Sequence, residues 1–177
     1  MTTAFLDRDG VINGKPPAGT YITTSRELRF LPGAVEAIRL LNEARVRVVV
    51  VTNQRGVALG VMSREQLERV HHDMLEELQG LGANVDAVYL CPHAEDSCDC
   101  RKPGIGMFLR AKSEFTDIKF DEAYVIGDSD RDMEAGRRLG ARLIRIGQPA
   151  SPDESGAASL LEAVTRYIVA ADRKSAL

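Results

Sequence analysis

The sequence predicts an α/β fold, a mainly parallel sheet with helices on both faces. Three observations carry that prediction. Short apolar or β-branched runs alternate with helix-period runs along the chain, and strands separated by helices imply right-handed βαβ crossovers. Composition is globular, with 44% hydrophobic and 28% charged residues, which excludes a disordered tail or a low-complexity scaffold. With 177 residues, no internal repeat and no long linker, the chain is expected to form a single domain over residues 1–177.

Each element has its own local reason. Thr3–Leu6 is short, apolar and followed by an acidic turn, as a buried strand would be. Pro32-Gly33 opens a helix that sets Val35, Ile38 and Leu41 on one face. Val46–Val51 is β-branched and stops at Thr52-Asn53-Gln54, which marks a second buried strand. Ser63 with Gln66 has the capping-box pattern, and Leu67, Val70, Met74 and Leu78 follow at helical spacing until Gly80 and Gly82. Val85–Leu90 is expected as a third strand, Pro103–Phe115 as a helix, and Ala123–Ile126 as a fourth strand. Arg131–Leu139 then reads as a helix closed by Gly140. Ala141–Ile146 alternates and is placed nearer a sheet edge, and Gly147–Gly156 reads as an ordered loop. A last amphipathic helix is expected over Ala157–Ala170, with Leu160, Leu161, Val164 and Ile168 inward.

Charge and hydropathy narrow the function classes. A formal charge of −3 offers no basic field for a nucleic-acid backbone. No apolar run approaches the ~18 residues of a membrane helix, and Met1-Thr2-Thr3 leads directly into an apolar segment without a charged leader. The expectation is a cytoplasmic protein, monomeric by default, with neither nucleic acid nor membrane as partner.

In a parallel sheet the chemistry belongs at the carboxyl ends of the strands. Asp7 and Asp9 lie two apart in Phe5-Leu6-Asp7-Arg8-Asp9-Gly10, where the first strand gives way to a turn. Carboxylates there are costly unless compensated, and hard Mg²⁺ compensates them well. The alternative is a solvated turn. Three later strand ends add weight: Thr52-Asn53-Gln54 with a hydroxyl and two amides, Arg101-Lys102 with two cations, and Gly127-Asp128-Ser129-Asp130-Arg131-Asp132 with further carboxylates.

All three cysteines lie within Cys91–Cys100, in the order Cys91-x-His93, four residues, Cys98-x-Cys100. Three thiolates and an imidazole make a full tetrahedral set for Zn²⁺, closed and therefore structural. The alternatives are a Cys98/Cys100 redox pair or unconnected thiols in a reducing compartment.

The four strand-end motifs together resemble the haloacid dehalogenase-like phosphatase superfamily, from Phe5 to about Gly147. That resemblance implies a capless, Rossmann-like haloacid dehalogenase-like fold, its site roofed by loops such as Asn13–Arg29. It implies Asp7 as nucleophile forming an aspartyl-phosphate and Asp9 as general acid and base, with Thr52 and Lys102 stabilising the transferring phosphoryl group. Mg²⁺ would sit on the Asp7 carboxylate, the Asp9 backbone carbonyl and Asp128. Asp132 would orient Lys102 or a metal-bound water, and Asp130 would be solvated.

Cys91-Pro92-His93 with Cys98-Asp99-Cys100-Arg101-Lys102-Pro103 resembles the zinc-containing branch that holds heptose 1,7-bisphosphate phosphatases and histidinol-phosphate phosphatases. The wider pattern, including Thr20-Tyr21-Ile22 and Thr52 to Ala58, is similar to the heptose enzymes, although Arg55 stands where they often carry Ser. The implied activity is Mg²⁺-dependent removal of the C7 phosphate of a sugar bisphosphate, serving lipopolysaccharide-type glycan synthesis; the alternative is histidinol phosphate or another small phosphorylated metabolite. Asn53 and Arg101, and then Gln54 and Tyr21, would contact substrate beyond the reacting phosphate. His71 and His72 read as helix-surface or partly buried side chains rather than catalysts.

Overall fold

The computed structural model describes residues 1–170. Its strands are β1 (Thr3–Leu6), β2 (Arg47–Asn53), β3 (Ala87–Cys91), β4 (Tyr124–Gly127), β5 (Arg142–Ile146) and β6 (Glu154–Ala157). They form one sheet in the order β3-β2-β1-β4-β5-β6, parallel at every pairing. The helices are α1 (Ala34–Glu43), α2 (Arg64–Gly80), α3 (Gly106–Glu114), α4 (Asp130–Leu139) and α5 (Leu160–Ala163).

The two-residue period of a strand divides the core between the sheet faces. Ala4 and Leu6 of β1, with Val48 and Val50 of β2, pack against α1, α2 and α5. Phe5, Val49 and Val51 point the other way, onto Met107, Phe108 and Met133 of α3 and α4. The Phe5 and Phe108 rings meet edge to face at 5.0 Å, both fully buried. Burying a side chain of this size contributes about 1.5–3 kcal/mol. Strands covered on both faces have no room for polar alternation, which is why β1 and β2 are nearly continuous apolar runs.

Most expected elements stand within a residue or two, and the capping signals explain their ends. The Ser63 hydroxyl accepts from Gln66 N–H while the Gln66 side chain accepts from Ser63 N–H, starting α2 as the sequence requires. Gly140 ends α4 in the left-handed region, at φ 68°. Three readings need correction. The helix expected from Pro103 begins at Gly106, because residues 101–104 make a turn in which Gly104 N–H donates to the Arg101 carbonyl at 2.6 Å. The stretch Gly147–Gly156 is not all loop: it contains the start of β6, so β6 rather than β5 forms that sheet edge. The last helix starts at Leu160 and continues as π-helical turns over Val164–Val169, with Leu160, Val164 and Ile168 buried as expected and Leu161 half-buried.

In this strand order the direction of winding reverses between β1 and β4, which opens a crevice at their carboxyl ends. Asp7 N–H donates to the Ile126 carbonyl at 2.9 Å, closing the floor of that crevice. No helix among the described residues is long and apolar enough to cross a membrane.

Candidate active site

A cavity of about 490 Å³ opens at the crevice, lined by the ends of β1, β2 and β4, by Arg101 and Lys102, and by the loop from Lys15 to Ile22. All four strand-end motifs converge there. Among the described residues no separate layer of helices or strands covers the opening; the loop between β1 and α1 forms its wall.

Asp7 sits at the base, its side chain 14% exposed, with Lys102 Nζ 2.9 Å from Oδ1. Lys102 is buried and also donates to Asp132 Oδ1 at 2.5 Å and to the Val51 carbonyl at 2.7 Å. Burial alone would pull the ammonium down; Asp132 and Asp7 together hold it above its ordinary value. Burial also pushes the Asp7 carboxyl up to about 7, with Lys102 opposing and Asp132 adding to the rise. One buried cation therefore serves two carboxylates, the buried Asp132 and the partly exposed Asp7, and the site is short of positive charge.

The acid groups fit a hard divalent cation. Carboxylate oxygens of Asp7, Asp128 and Asp132 lie within 4.8 Å of one another. Among the described residues Asp128 Oδ1 is buried without a hydrogen-bond partner, while Oδ2 takes Lys15 Nζ at 2.6 Å. An orphaned carboxylate oxygen beside the Asp7 carboxyl is what a cation would satisfy. Gly10, at φ 90°, makes this approach possible, since a Cβ there would collide with the Asp128 carboxylate. Asp132 is engaged by Lys102 and by Ser129, so it holds the lysine in place. Asp130 is 90% exposed and pairs with Arg145.

The Asp9 side chain turns away from that cluster. Arg8 grips it with Nε at 3.0 Å and Nη2 at 2.8 and 3.0 Å, Asn13 Nδ2 donates at 2.9 Å, and Gln54 Nε2 donates at 2.9 Å. Arg8 is itself fully buried, and its Nη1 donates to His71 Nε2 at 2.9 Å. His71 is buried on α2, and burial followed by the Arg8 charge pushes its imidazole down to about 3, so it stays neutral. His72 is exposed, as the sequence suggested.

The second-strand residues divide their work. Thr52 is buried, with its Oγ1 accepting from Gln54 Nε2 at 2.8 Å. Gln54 thereby bridges Thr52 and Asp9. Both ends of the Asn53 amide are taken by the Lys102 backbone, at 3.0 and 3.1 Å, so Asn53 fixes the strand end to the lysine turn. Tyr21 lines the cavity and accepts from Arg55 Nε at 3.3 Å. Gly56 lets the ring pack, since a Cβ there would stand 2.9 Å from Tyr21 Cγ.

The three cysteines and His93 form one cluster. The Sγ atoms of Cys91, Cys98 and Cys100 are 3.2–3.5 Å apart, and His93 Nδ1 is 3.2 Å from Cys100 and 3.6 Å from Cys91. The thiols are free. Burial, then the neighbouring thiols, pushes the Cys100 thiol up. The edges of a tetrahedron with ~2.3 Å metal–sulfur bonds are about 3.8 Å, so the cluster need open only slightly to hold zinc.

At the rim, Glu95 Oε1 receives Arg55 and Arg131 at 3.1 Å each and Arg101 at 3.6 Å. The Arg101 side chain is 11% exposed, and its buried Nη1 has no hydrogen-bond partner among the described residues. The sequence reading singled out Arg101 but missed Glu95, Arg131, Lys15 and the Arg8–His71 pair as site residues. His71 carried a signal, because it falls on the apolar stripe of α2 between Leu67 and Met74, and Arg8 and Arg131 lie inside the strand-end motifs.

Known proteins resemble this chain along most of its length. A family model described as HAD-hydrolase-like matches residues 99–166. The D-glycero-beta-D-manno-heptose-1,7-bisphosphate 7-phosphatase of Rhodopseudomonas palustris is 41% identical over 145 residues, 77% of this chain and 78% of the relative. Its namesake from Photorhabdus laumondii is 36% identical over 172 residues, 91% of this chain and 89% of the relative. Among solved structures, the D,D-heptose 1,7-bisphosphate phosphatase of B. bronchiseptica complexed with magnesium and phosphate superposes with a TM-score of 0.85. It is 30% identical, covering 94% of this chain and 97% of that one.

Proposed function

Since the chain belongs to the HAD-like phosphatase family of these relatives, we propose that it removes the C7 phosphate of D-glycero-D-manno-heptose 1,7-bisphosphate through an aspartyl-phosphate on Asp7. The observation that carries the chemistry is Asp7 at the base of the cavity, backed by Lys102 at 2.9 Å and faced by an Asp128 oxygen that has no hydrogen-bond partner among the described residues. Asp7 Oδ attacks phosphorus in line, and the bond from phosphorus to the C7 oxygen breaks. Asp9 gives its proton to the departing oxygen, then takes one from the water that hydrolyses the acyl phosphate. Lys102 and the Thr52 hydroxyl stabilise the charge spread over the transferring oxygens. The Asp7 and Asp128 carboxylates and the Asp9 backbone carbonyl would hold Mg²⁺, which offsets the repulsion between carboxylate and phosphate.

The rim supports a substrate with two phosphates. Three guanidinium groups around the single Glu95 carboxylate leave a surplus of two positive charges. A phosphate monoester carries about −1.5 to −2 at pH 7, so the surplus matches one. Arg101, which lines the cavity, is the group that receives it, with Tyr21 holding Arg55 in line. Asn53 and Gln54 act on substrate through Lys102 and Asp9.

Cys91, His93, Cys98 and Cys100 would hold a structural Zn²⁺, which would fix the loop carrying Glu95 and leading into Arg101 and Lys102. Free thiols agree with a reducing, cytoplasmic setting. The same reading makes residues 1–177 one phosphatase domain, monomeric, acting in activated-heptose supply for lipopolysaccharide.

The test compares kcat/KM for both anomers of the heptose bisphosphate with that for histidinol phosphate. A preference of roughly a hundredfold for one bisphosphate, about 2.7 kcal/mol of discrimination, is expected, the relatives' name pointing to the β anomer. Comparable rates on all three substrates would overturn the substrate assignment, and faster turnover of histidinol phosphate would replace it.

A further inference from the structure

We infer that His71 and Arg8 are positioning residues for Asp9, the imidazole fixing the guanidinium and the guanidinium fixing the carboxylate. The inference rests on the reading of Asp9 as the acid and base.

Arg8 follows β1 in the acidic turn, and its side chain is 0% exposed. A guanidinium has five N–H donors and no acceptor, and one shut away from water must spend them on protein groups. Nε and Nη2 go to Asp9, and Nη1 goes to His71. Because Arg8 can only donate, His71 Nε2 must be the acceptor, so the neutral ring carries its proton on Nδ1. Among the described residues, Nη1 has no other partner.

The arrangement answers a difficulty built into the acidic turn. Asp9 is two residues from Asp7 and belongs to a site that attracts a divalent cation, so a freely rotating Asp9 carboxylate would compete for that ion. It does not join the Asp7, Asp128 and Asp132 cluster. The two-pronged grip of Arg8 withholds it, with Asn13 and Gln54 adding one donor each. Loss of the His71 acceptor would leave Nη1 buried and unpaired. The guanidinium would then turn to find another acceptor and release a donor from Asp9. His71 does not line the cavity, so its effect must pass through Arg8.

The test uses two esters whose leaving groups need the proton to different degrees. An alkoxide leaving from hexose 6-phosphate needs protonation, whereas p-nitrophenolate leaves without it. kcat/KM ends at the first irreversible step, so it excludes later hydrolysis of the acyl phosphate. His71→Leu is expected to lower kcat/KM about tenfold for hexose 6-phosphate and less than about twofold for p-nitrophenyl phosphate. His71→Gln, which restores an acceptor, should come within about threefold of wild type on both. Thermal unfolding of each variant checks that the fold is intact. Equal losses on both esters would mark a purely structural histidine and overturn the inference, as would no loss on either. If wild type rejects the heptose bisphosphate while the ester contrast persists, the substrate assignment fails and the positioning role stands.

Discussion

Replacing Lys102 with methionine removes one charge from the most heavily used point in the site. The ammonium is 2% exposed and serves Asp7 at 2.9 Å, Asp132 at 2.5 Å and the Val51 carbonyl at 2.7 Å. Methionine fills most of the volume, so the loss is electrostatic rather than a cavity. Breaking a buried ion pair by removing one partner costs about 3–5 kcal/mol, because the other charge stays buried and uncompensated. Here two carboxylates are left facing each other, but Asp7, already raised to about 7, takes up a proton and limits the damage. The expected loss is therefore about 3 kcal/mol in urea unfolding of metal-free protein at pH 8, and smaller at pH 6. Lys102→Met with Asp132→Asn should recover at least half of it, since the second change removes the stranded charge. Turnover should fall about 100- to 1,000-fold in both variants, as for loss of a group that stabilises transferred charge. A destabilisation under about 1 kcal/mol, or a double variant as unstable as the sum of the singles, would refute this description of the site.

Other perturbations test separate parts of the structure. The Asp7 carboxyl is raised when folded, so metal-free folded protein binds more protons there than the unfolded chain, and stability falls as pH rises from about 4 through about 7. Asp7→Asn should be inactive yet more stable than wild type at pH 8 without metal, the gap closing toward pH 4; equal stability curves would contradict it. Glu154 is buried between Arg145 at 2.6 Å and Arg137 at 2.5 Å, and hydrogen bonds led by Arg145 hold its carboxyl down to about 2. Its contribution is complete above about pH 4.5 and is lost as pH falls toward 2, so Glu154→Gln should flatten acid unfolding in that range. Zinc removal by a strong chelator should lower Tm by roughly 5–10 °C and erode activity slowly, with excess Mg²⁺ failing to restore it. An unchanged Tm in chelated protein that has released zinc would count against a structural role.

The fold was legible where a single physical cause dominates. β1 and β2 are buried on both faces, and such strands must be continuous apolar runs; α2 announces itself by Ser63 and Gln66 and by its Leu67-Val70-Met74-Leu78 stripe. β6 was hidden for an equally definite reason. A parallel partner needs a return connection, usually a dozen residues or more, whereas only residues 147–153 join β5 to β6. Those residues are rich in Gly, Pro and Ser, and they read as loop. The start of α3 was misplaced because Pro103 is a good first helical residue by its φ, yet Asp99 and Arg101 backbone contacts hold residues 101–104 in a turn.

The site shows the same division. Asp7, Asp9, Thr52 and Asp128 stand at or just past strand ends, where topology makes position in the chain equivalent to position in space, and Lys102 follows β3 after the cysteine loop. Residues that join the site through long side chains gave no such sign. Lys15 reaches Asp128 across 113 positions, and Arg55 and Arg131 meet only because both find Glu95. Gln54 and Asn53 were recognised as site residues, but their hydrogen bonds run to Asp9, Thr52 and Lys102, a division of labour that spacing does not encode.

The most direct test of the central claim is phosphorus NMR of D-glycero-β-D-manno-heptose 1,7-bisphosphate with zinc-loaded enzyme, with and without Mg²⁺, beside Asp7→Asn. The account predicts loss of the C7 resonance alone, growth of inorganic phosphate only when Mg²⁺ is present, and an unchanged spectrum with Asp7→Asn. Release of the C1 phosphate, or substantial turnover by Asp7→Asn, would contradict it.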